Sequence, residues 1–349
     1  MANYRDVEIA SLLELSARIG RDPLLAQAST GNTSIKIDGV LWMKASGKWL
    51  ADAQRGDFLI PVDLAQVREC VRLNMDPAEK YSNESGNLRA SIETAMHAVL
   101  LQRVVIHVHS VSAIAWAVRE DASTLLEVLL IGLRWQWIPY VASGLPLAQA
   151  IEESVILSPD TEVLVLGNHG LVICGEDCAA AEALLTEVER RLAITPRTAP
   201  EPDRANLARI AESSPWTLAE DAALHALGTD AISREVLSGG LLYPCQAIFS
   251  NSTTPEFFRP VSGEDAAESY ESRYGDRPFL IVEGSGMLIG RTMTPAQYAV
   301  LGGLAEVVQR ISRTAPLRYL TEYEIGRGLN VDAYRYRELA DADHAVRMA

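Results

Sequence analysis

The sequence predicts a layered α/β chain in two parts, and three observations carry that prediction. Short apolar, strand-like runs alternate with segments of near-helical recurrence. The length of 349 residues is about twice that of an ordinary domain. A Pro-rich stretch, TPRTAPEPD at 195–203, has the composition of a linker. The expected organisation is a first region over 1–195, a linker at 196–204, and a smaller α/β region over 205–349.

Composition narrows the function classes. Hydrophobic residues make up 48% and charged residues 22%, which is ordinary globular usage. With 31 Lys and Arg against 46 Asp and Glu, the net charge of −15 disfavours nonspecific binding to nucleic acid or to an anionic membrane. The four cysteines at 70, 174, 178 and 245 are scattered and form no C-x-x-C pair, as expected for reduced core thiols of a cytoplasmic protein. Asp6, Glu8 and Glu14 argue against a signal peptide. The most apolar run, Leu125 to Leu133, falls far short of the roughly 20 residues needed to span a bilayer.

The elements follow in order. Val7, Ile9, Leu12, Leu13, Leu15 and Ile19 recur with near-helical spacing up to Gly20, which predicts an opening amphipathic helix. Ser29 to Lys48 alternates apolar pieces with Asp-Gly and Ser-Gly turns, the grammar of a hairpin. A helix is expected over Ile92–Leu101, a buried strand over Val104–Val108, one helical stretch over Ser112–Ile131 and a strand over Trp137–Val141. Val163 to Gly175 predicts two strands bent at Asn-His-Gly, and Ala179–Leu192 a strong helix. Beyond the linker, helices are expected at 204–213, 217–227 and 295–313, and strands near 241–249 and 279–290. VLVLGNHGLVI (163–173) and FLIVEGSGMLI (279–289) share a strand-turn-strand pattern followed by a helix, with Ser285 standing where the first copy has His169. The second unit therefore reads as a partial echo of the first that lacks the histidine.

Chemistry concentrates before residue 195. His107 and His109 lie two apart on a strand, so both imidazoles face one way, a spacing that suits two ligands of one metal. His169, on a Gly-flanked turn, offers a third nitrogen, and three histidines with an open position suit a catalytic zinc. Glu93, with His97 one turn later, is the expected acid/base group, its pKa raised by burial. Its alternative is a plain helix N-terminal carboxylate capped by Ser91. The turns Gly31-Asn32-Thr33-Ser34 and Ser46-Gly47-Lys48 can aim backbone N–H groups at an anion, or can be simple hairpin turns.

Taken in order, Gly-Asn-Thr-Ser, Ser-Gly, Ser-Ile-Glu, His-Val-His and Asn-His-Gly-Leu over 31–171 resemble the class II aldolase/adducin family, which includes fuculose- and rhamnulose-1-phosphate aldolases. The stretch Tyr319–Arg337 resembles the C-terminal part of the long rhamnulose-phosphate aldolase/alcohol dehydrogenase proteins, while no Gly-x-Gly-x-x-Gly follows a strand candidate. The resemblance implies an α/β/α fold around a mixed, largely antiparallel sheet. It implies His107, His109 and His169 as ligands of Zn²⁺ or another divalent metal, and Glu93 as the acid/base. It places Gly31, Asn32, Ser46, Gly47 and Ser91 at the phosphate, and leaves Tyr140 as the candidate for the family's proton-donating tyrosine. The implied activity is that of a metal-dependent aldehyde-lyase cleaving a ketose 1-phosphate or related sugar acid through an enediolate, in a cytoplasmic homo-oligomer. Glu93 stands where the family's epimerases carry Asp. Ala90-Ser91-Ile92-Glu93 departs from the family's Pro-Ser-Ser-Glu, with Arg89 able to compensate for the lost hydroxyl. An epimerase, a decarboxylase or a non-catalytic adducin-like module are the alternatives.

Overall fold

A computed structural model describes residues 4–81, 88–212, 214–250, 260–261, 278–328 and 336–342; His344 and the centre of the Tyr319–Arg337 stretch lie outside them. Helix α1 (Tyr4–Gly20) leads into hairpin β1 (Asn32–Ile37) and β2 (Val40–Lys44), then β3 (Leu59–Asp63) and α2 (Leu64–Arg72). The hairpin closes at Asp38-Gly39, both with positive φ, as a tight two-residue turn requires. There follow α3 (Thr94–Val99), β4 (Val104–Val108), α4 (Val111–Ala117), α5 (Ala122–Leu129), β5 (Trp135–Ile138), α6 (Leu145–Leu157), β6 (Val163–Leu166), β7 (Gly170–Gly175) and α7 (Cys178–Leu192).

These strands form one seven-stranded sheet in the order β3-β2-β1-β4-β7-β6-β5, antiparallel except for β5 on β6. Alternation along each strand divides the core. Val104, Ile106 and Val108 of β4 pack with Leu12, Leu15, Leu126 and Leu185 of α1, α5 and α7. Val105 faces the other way, with Met96, Leu147 and Ile151 of α3 and α6. The result is the three-layer α/β/α arrangement, and the second layer is the one that His107 faces.

The second part holds α8 (Arg204–Glu212), β8 (Trp216–Leu218), α9 (Ala222–Thr229), α10 (Ala231–Gly239), α11 (Pro244–Ser250), β9 (Phe279–Val282), β10 (Gly286–Gly290), α12 (Pro295–Arg310) and α13 (Glu322–Gly328). Its sheet has three strands in the order β8-β10-β9. The β6-β7 and β9-β10 hairpins are built alike: Leu166 pairs with Gly170 and Val282 with Gly286, and His169 N and Ser285 N donate to Leu166 O and Val282 O at 3.2 and 3.1 Å. Asn168 (φ 50°) and Gly284 (φ 71°) hold the same left-handed position. Where His169 faces the first pocket, Ser285 accepts from Asn206 Nδ2 at 2.8 Å.

Three expected elements differ. The stretch near 241–249 is helix α11 rather than a strand, because Pro244 pre-sets the first turn and Gln246 Oε1 accepts from Leu242 N and Tyr243 N. A short run buried on every side cannot be told from a strand by period alone. The single helix expected over 112–131 is broken into α4 and α5, since Arg119 bridges to Leu317 and Glu120 N donates to Pro316 O. Residues 217–227 divide into β8 and α9, with Asp221 capping the helix through Ala223 N.

Residues 193–203 form neither helix nor strand. They are nonetheless strapped down: the Arg197 guanidinium reaches Asp230 Oδ2, Ser233 Oγ and the carbonyls of Val308 and Ile311. Helix α4 is common ground. Its Ala113 and Ala117 belong to the first core, while Val111, Ile114, Ala115 and Val118 pack with Leu237, Leu301, Leu304 and Val308 of the second part.

Candidate functional site

Sheet register assembles the site. Asn32 lies directly opposite His107 in the β1–β4 pair, so their side chains share a face. Strand alternation puts Asn32 and Ser34 together toward α3, which carries His97. His109 follows β4 by one residue, and His169 sits in the β6–β7 turn. The three imidazoles form a triangle with ring centroids 4.9–5.1 Å apart, and one ligand atom from each lies within 4.8 Å of the others. All three are buried. Among the described residues this is the cluster of histidines, cysteines or carboxylates that could hold a metal ion.

The donors fit a divalent cation. Burial pushes the His107 imidazole down to about 4, against the opposing pull of Glu93, and burial likewise holds His109 well below its ordinary value. Neutral imidazoles are the ligating form. His107 Nδ1 faces Leu171 O at 3.0 Å, while its Nε2 is buried without a hydrogen-bond partner, as is His169 Nδ1. Buried, unsatisfied nitrogens on converging rings are what a cation would satisfy.

Glu93 lies immediately before α3, its N–H donating to Ser91 Oγ at 3.2 Å. Its Oε1 stands 3.5 Å from His107 Nε2 and 3.3 Å from His169 Nε2. Its Oε2 accepts from Asn32 Nδ2 at 2.6 Å. The expected upward shift is corrected: burial does push the carboxyl up, but the surrounding imidazoles outweigh it and hold Glu93 well below the usual carboxylate range. A chain of donors fixes Asn32. Its Oδ1 accepts from His97 Nε2, so His97 Nδ1 is left to accept from Ser34 Oγ at 2.7 Å.

The triad opens on a pocket of about 140 Å³. Gly31, Asn32, Ser46, Ser91, Arg89 and Tyr140 all line it. Gly31 needs its positive φ of 68°, and a Cβ there would stand 2.7 Å from His107 O. The Asn32 side chain is committed to Glu93 and His97. Gly47 (φ 79°) is not part of the lining; Leu339 packs against it, 2.4 Å from where a Cβ would be. The Tyr140 ring lies under the Arg318 guanidinium at 5.1 Å, and burial, with Glu324 adding to it, pushes its hydroxyl up to about 12.

Sequence reasoning missed the wall supplied from beyond residue 240. Tyr243, then Cys245 and Ile248 from α11, Arg327 from α13, and Tyr336 and Leu339 line the pocket from that side. Fully buried Lys44 donates to the carbonyls of Ser29 and Lys48 at 2.6 Å each, tying the two glycine-bearing turns together. The alternation Asn32-x-Ser34 was the available signal for the His97 chain. For α11 and Arg318 there was none, because only the tertiary fold brings them to the site.

The family described as Class II Aldolase and Adducin N-terminal domain matches residues 10–195. A Bacillus subtilis protein described as the uncharacterized oxidoreductase YuxG is 30% identical over 184 residues, which cover 48% of this chain and 26% of that protein, so the match spans about a quarter of the relative's length. Among solved structures, the N-terminal class II aldolase domain of a Thermoplasma acidophilum protein is 23% identical, with a TM-score of 0.47, covering 55% of this chain and 95% of that one. An L-fuculose-1-phosphate aldolase from Thermus thermophilus is 19% identical, with a TM-score of 0.37, covering 53% and 91%. Among the described residues no helix is long and apolar enough to cross a membrane. With more than half of its length matched, from the opening helix to the end of α7, the chain belongs to the class II aldolase and adducin family.

Proposed function

We propose that the protein is a metal-dependent aldehyde-lyase that reversibly cleaves a ketose 1-phosphate or a related sugar acid. The observation that supports this reading is a buried three-histidine cluster beside a buried, Asn-held carboxylate, with His109, His169 and Glu93 all lining one pocket. His107, His109 and His169 would hold Zn²⁺ or another divalent ion. Bound there, the ion supplies Lewis acidity, polarising a substrate carbonyl and offsetting the charge that develops as the carbon–carbon bond breaks.

Glu93 moves the proton at carbon. Its Oε2 is fixed by Asn32, and its Oε1 faces the triad, so the atom that takes or returns a proton is Oε1. In the direction of bond formation Tyr140 donates a proton to the aldehyde oxygen as it becomes an alkoxide, and in cleavage the substrate hydroxyl gives its proton back along the same path. A hydroxyl that holds its proton up to about 12 is a proton source for an alkoxide, whose pKa is higher still. The anionic end of the substrate lies against Gly31, Ser46 and Ser91, with Arg89 adding charge. With a net charge of −15, capture of an anion rests on this local array.

The test is cleavage of a panel of ketose 1-phosphates and sugar acids, with aldehyde release followed by a coupled reductase, alongside metal analysis of the purified protein. One divalent ion per chain is expected, lost in His107→Ala together with activity. Full activity after exhaustive chelation, or epimer interconversion without aldehyde release, would overturn the lyase reading.

A further inference from the structure

We propose that the C-terminal part is the outer half of the metal centre: Cys245 positions His109, and Arg318, acting through Asn168, positions the turn that carries His169. The inference rests on the metal reading above and extends it to residues beyond the family match.

A histidine ligand presents one nitrogen to the ion, and the group that holds its other nitrogen fixes the ring's rotation. For His107 that group lies within the same sheet, Leu171 O at 3.0 Å. For His109 it is Cys245 Sγ, 3.5 Å from Nδ1, which leaves Nε2 for the cation. The sulfur is itself held. Cys245 is buried in the first turn of α11, after Pro244, and Gln246 closes that turn by accepting two backbone N–H groups. Both residues are buried, where a hydrogen bond is stronger than in water.

His169 is held differently. Its Nε2 faces Glu93, and its Nδ1 has no hydrogen-bond partner. Its direction therefore comes from its backbone, where the preceding residue, Asn168, stands at φ 50°. The Asn168 amide is saturated from the C-terminal part alone. Nδ2 donates to Leu242 O and Arg318 O at 2.8 Å each, and Oδ1 accepts from Arg318 Nη1 at 3.0 Å. Arg318 is in turn fixed by its ion pair with Glu324 and by stacking on Tyr140. Leu242 thus stands between the two devices, its carbonyl on Asn168 and its N–H on the residue that closes the Cys245 turn.

The test uses the purified full-length chain and Co²⁺, whose visible bands report ligand geometry and whose affinity can be read by competition with a chromophoric chelator. Cys245→Val keeps the volume and removes the partner of Nδ1; Cys245→Ser keeps a hydroxyl there. Cys245→Val is expected to bind Co²⁺ at least tenfold more weakly with shifted bands, and Cys245→Ser to stay within about threefold of wild type. Arg318→Met should weaken binding about tenfold, with Arg318→Lys, which keeps a donor for Asn168 Oδ1, partly restoring it. Melting of the metal-free proteins separates this role from a merely structural one. Variants that melt earlier yet bind Co²⁺ with unchanged affinity and bands would overturn the inference alone. A wild type that binds no Co²⁺, or a His107→Ala variant that binds it equally well, would overturn the metal reading and the inference with it.

Discussion

Asn32 shows how much of the site a residue-level reading could reach. Gly-Asn-Thr-Ser read as an anion turn, and the turn does line the pocket, but the Asn32 amide is spent on Glu93 and His97. The residue types were legible; the cross-strand register that pairs Asn32 with His107 was not, because a register is set by the packing of other strands. With Glu93 fixed in this way, Glu93→Gln should keep its metal and lose about 10²- to 10⁴-fold in kcat, measured as aldehyde release. A second carboxylate contributes to the pH dependence of stability. Glu189 on α7 is pushed up to about 7 by burial, with Ser110 pulling the other way, and its Oε1 has no hydrogen-bond partner. Because the folded-state pKa is raised, its stabilising contribution is complete below about pH 4.5 and is lost as the pH rises through about 7. Glu189→Gln should therefore raise the melting temperature relative to wild type at pH 8, by up to about 3 kcal/mol in stability, with the gap closing toward pH 4.5. A gap that is constant with pH would reject the assignment.

At the scale of elements, α1 and α7 were legible because each has one buried face and so a helical period, whereas β4, β6 and β7 are buried on both faces and were legible as short apolar runs bounded by turn residues, and the β1–β2 hairpin by its Asp38-Gly39 turn. The α11 segment was misread because it is buried on nearly all sides, with Cys245, Gln246, Ala247 and Phe249 all inside, which erases the period that separates helix from strand. The break between α4 and α5 was invisible for a different reason: the interrupting chain, Pro316–Arg318, lies some two hundred residues away in sequence. β3, α2, α6 and α10 were not anticipated, although Asp63 and Asp230 cap α2 and α10 in the ordinary way. Helix α12 carries a full capping box, with Thr294 and Gln297 each accepting from the other's backbone. Thr294→Ala should cost about 1 kcal/mol in urea unfolding with an unchanged m-value. A loss below a few tenths of a kcal/mol would show that tertiary packing alone holds that end.

For the whole molecule, two sheets did not yield two independent bodies. Within the stretch of linker composition, Arg197 is bound by Asp230, Ser233 and two carbonyls of α12's last turn and the residue after it, and α4 contributes to both cores. Heating should therefore give one calorimetric transition, shifted as a unit by Leu304→Ala, a loss of about 2–5 kcal/mol. Two resolved transitions, with only the upper or lower one moved, would reject the shared core. The same interlocking sets an order for biosynthesis. Asn168 leaves the ribosome 150 residues ahead of Arg318. At about 5–20 residues per second that is a delay of roughly 8–30 s, during which the third histidine's turn exists without the groups that finally grip it. The histidines are made early and the pocket is finished late, so a chain halted before residue 318 has His107, His109 and His169 in its sequence and none of the clamp on Asn168 that Arg318 supplies.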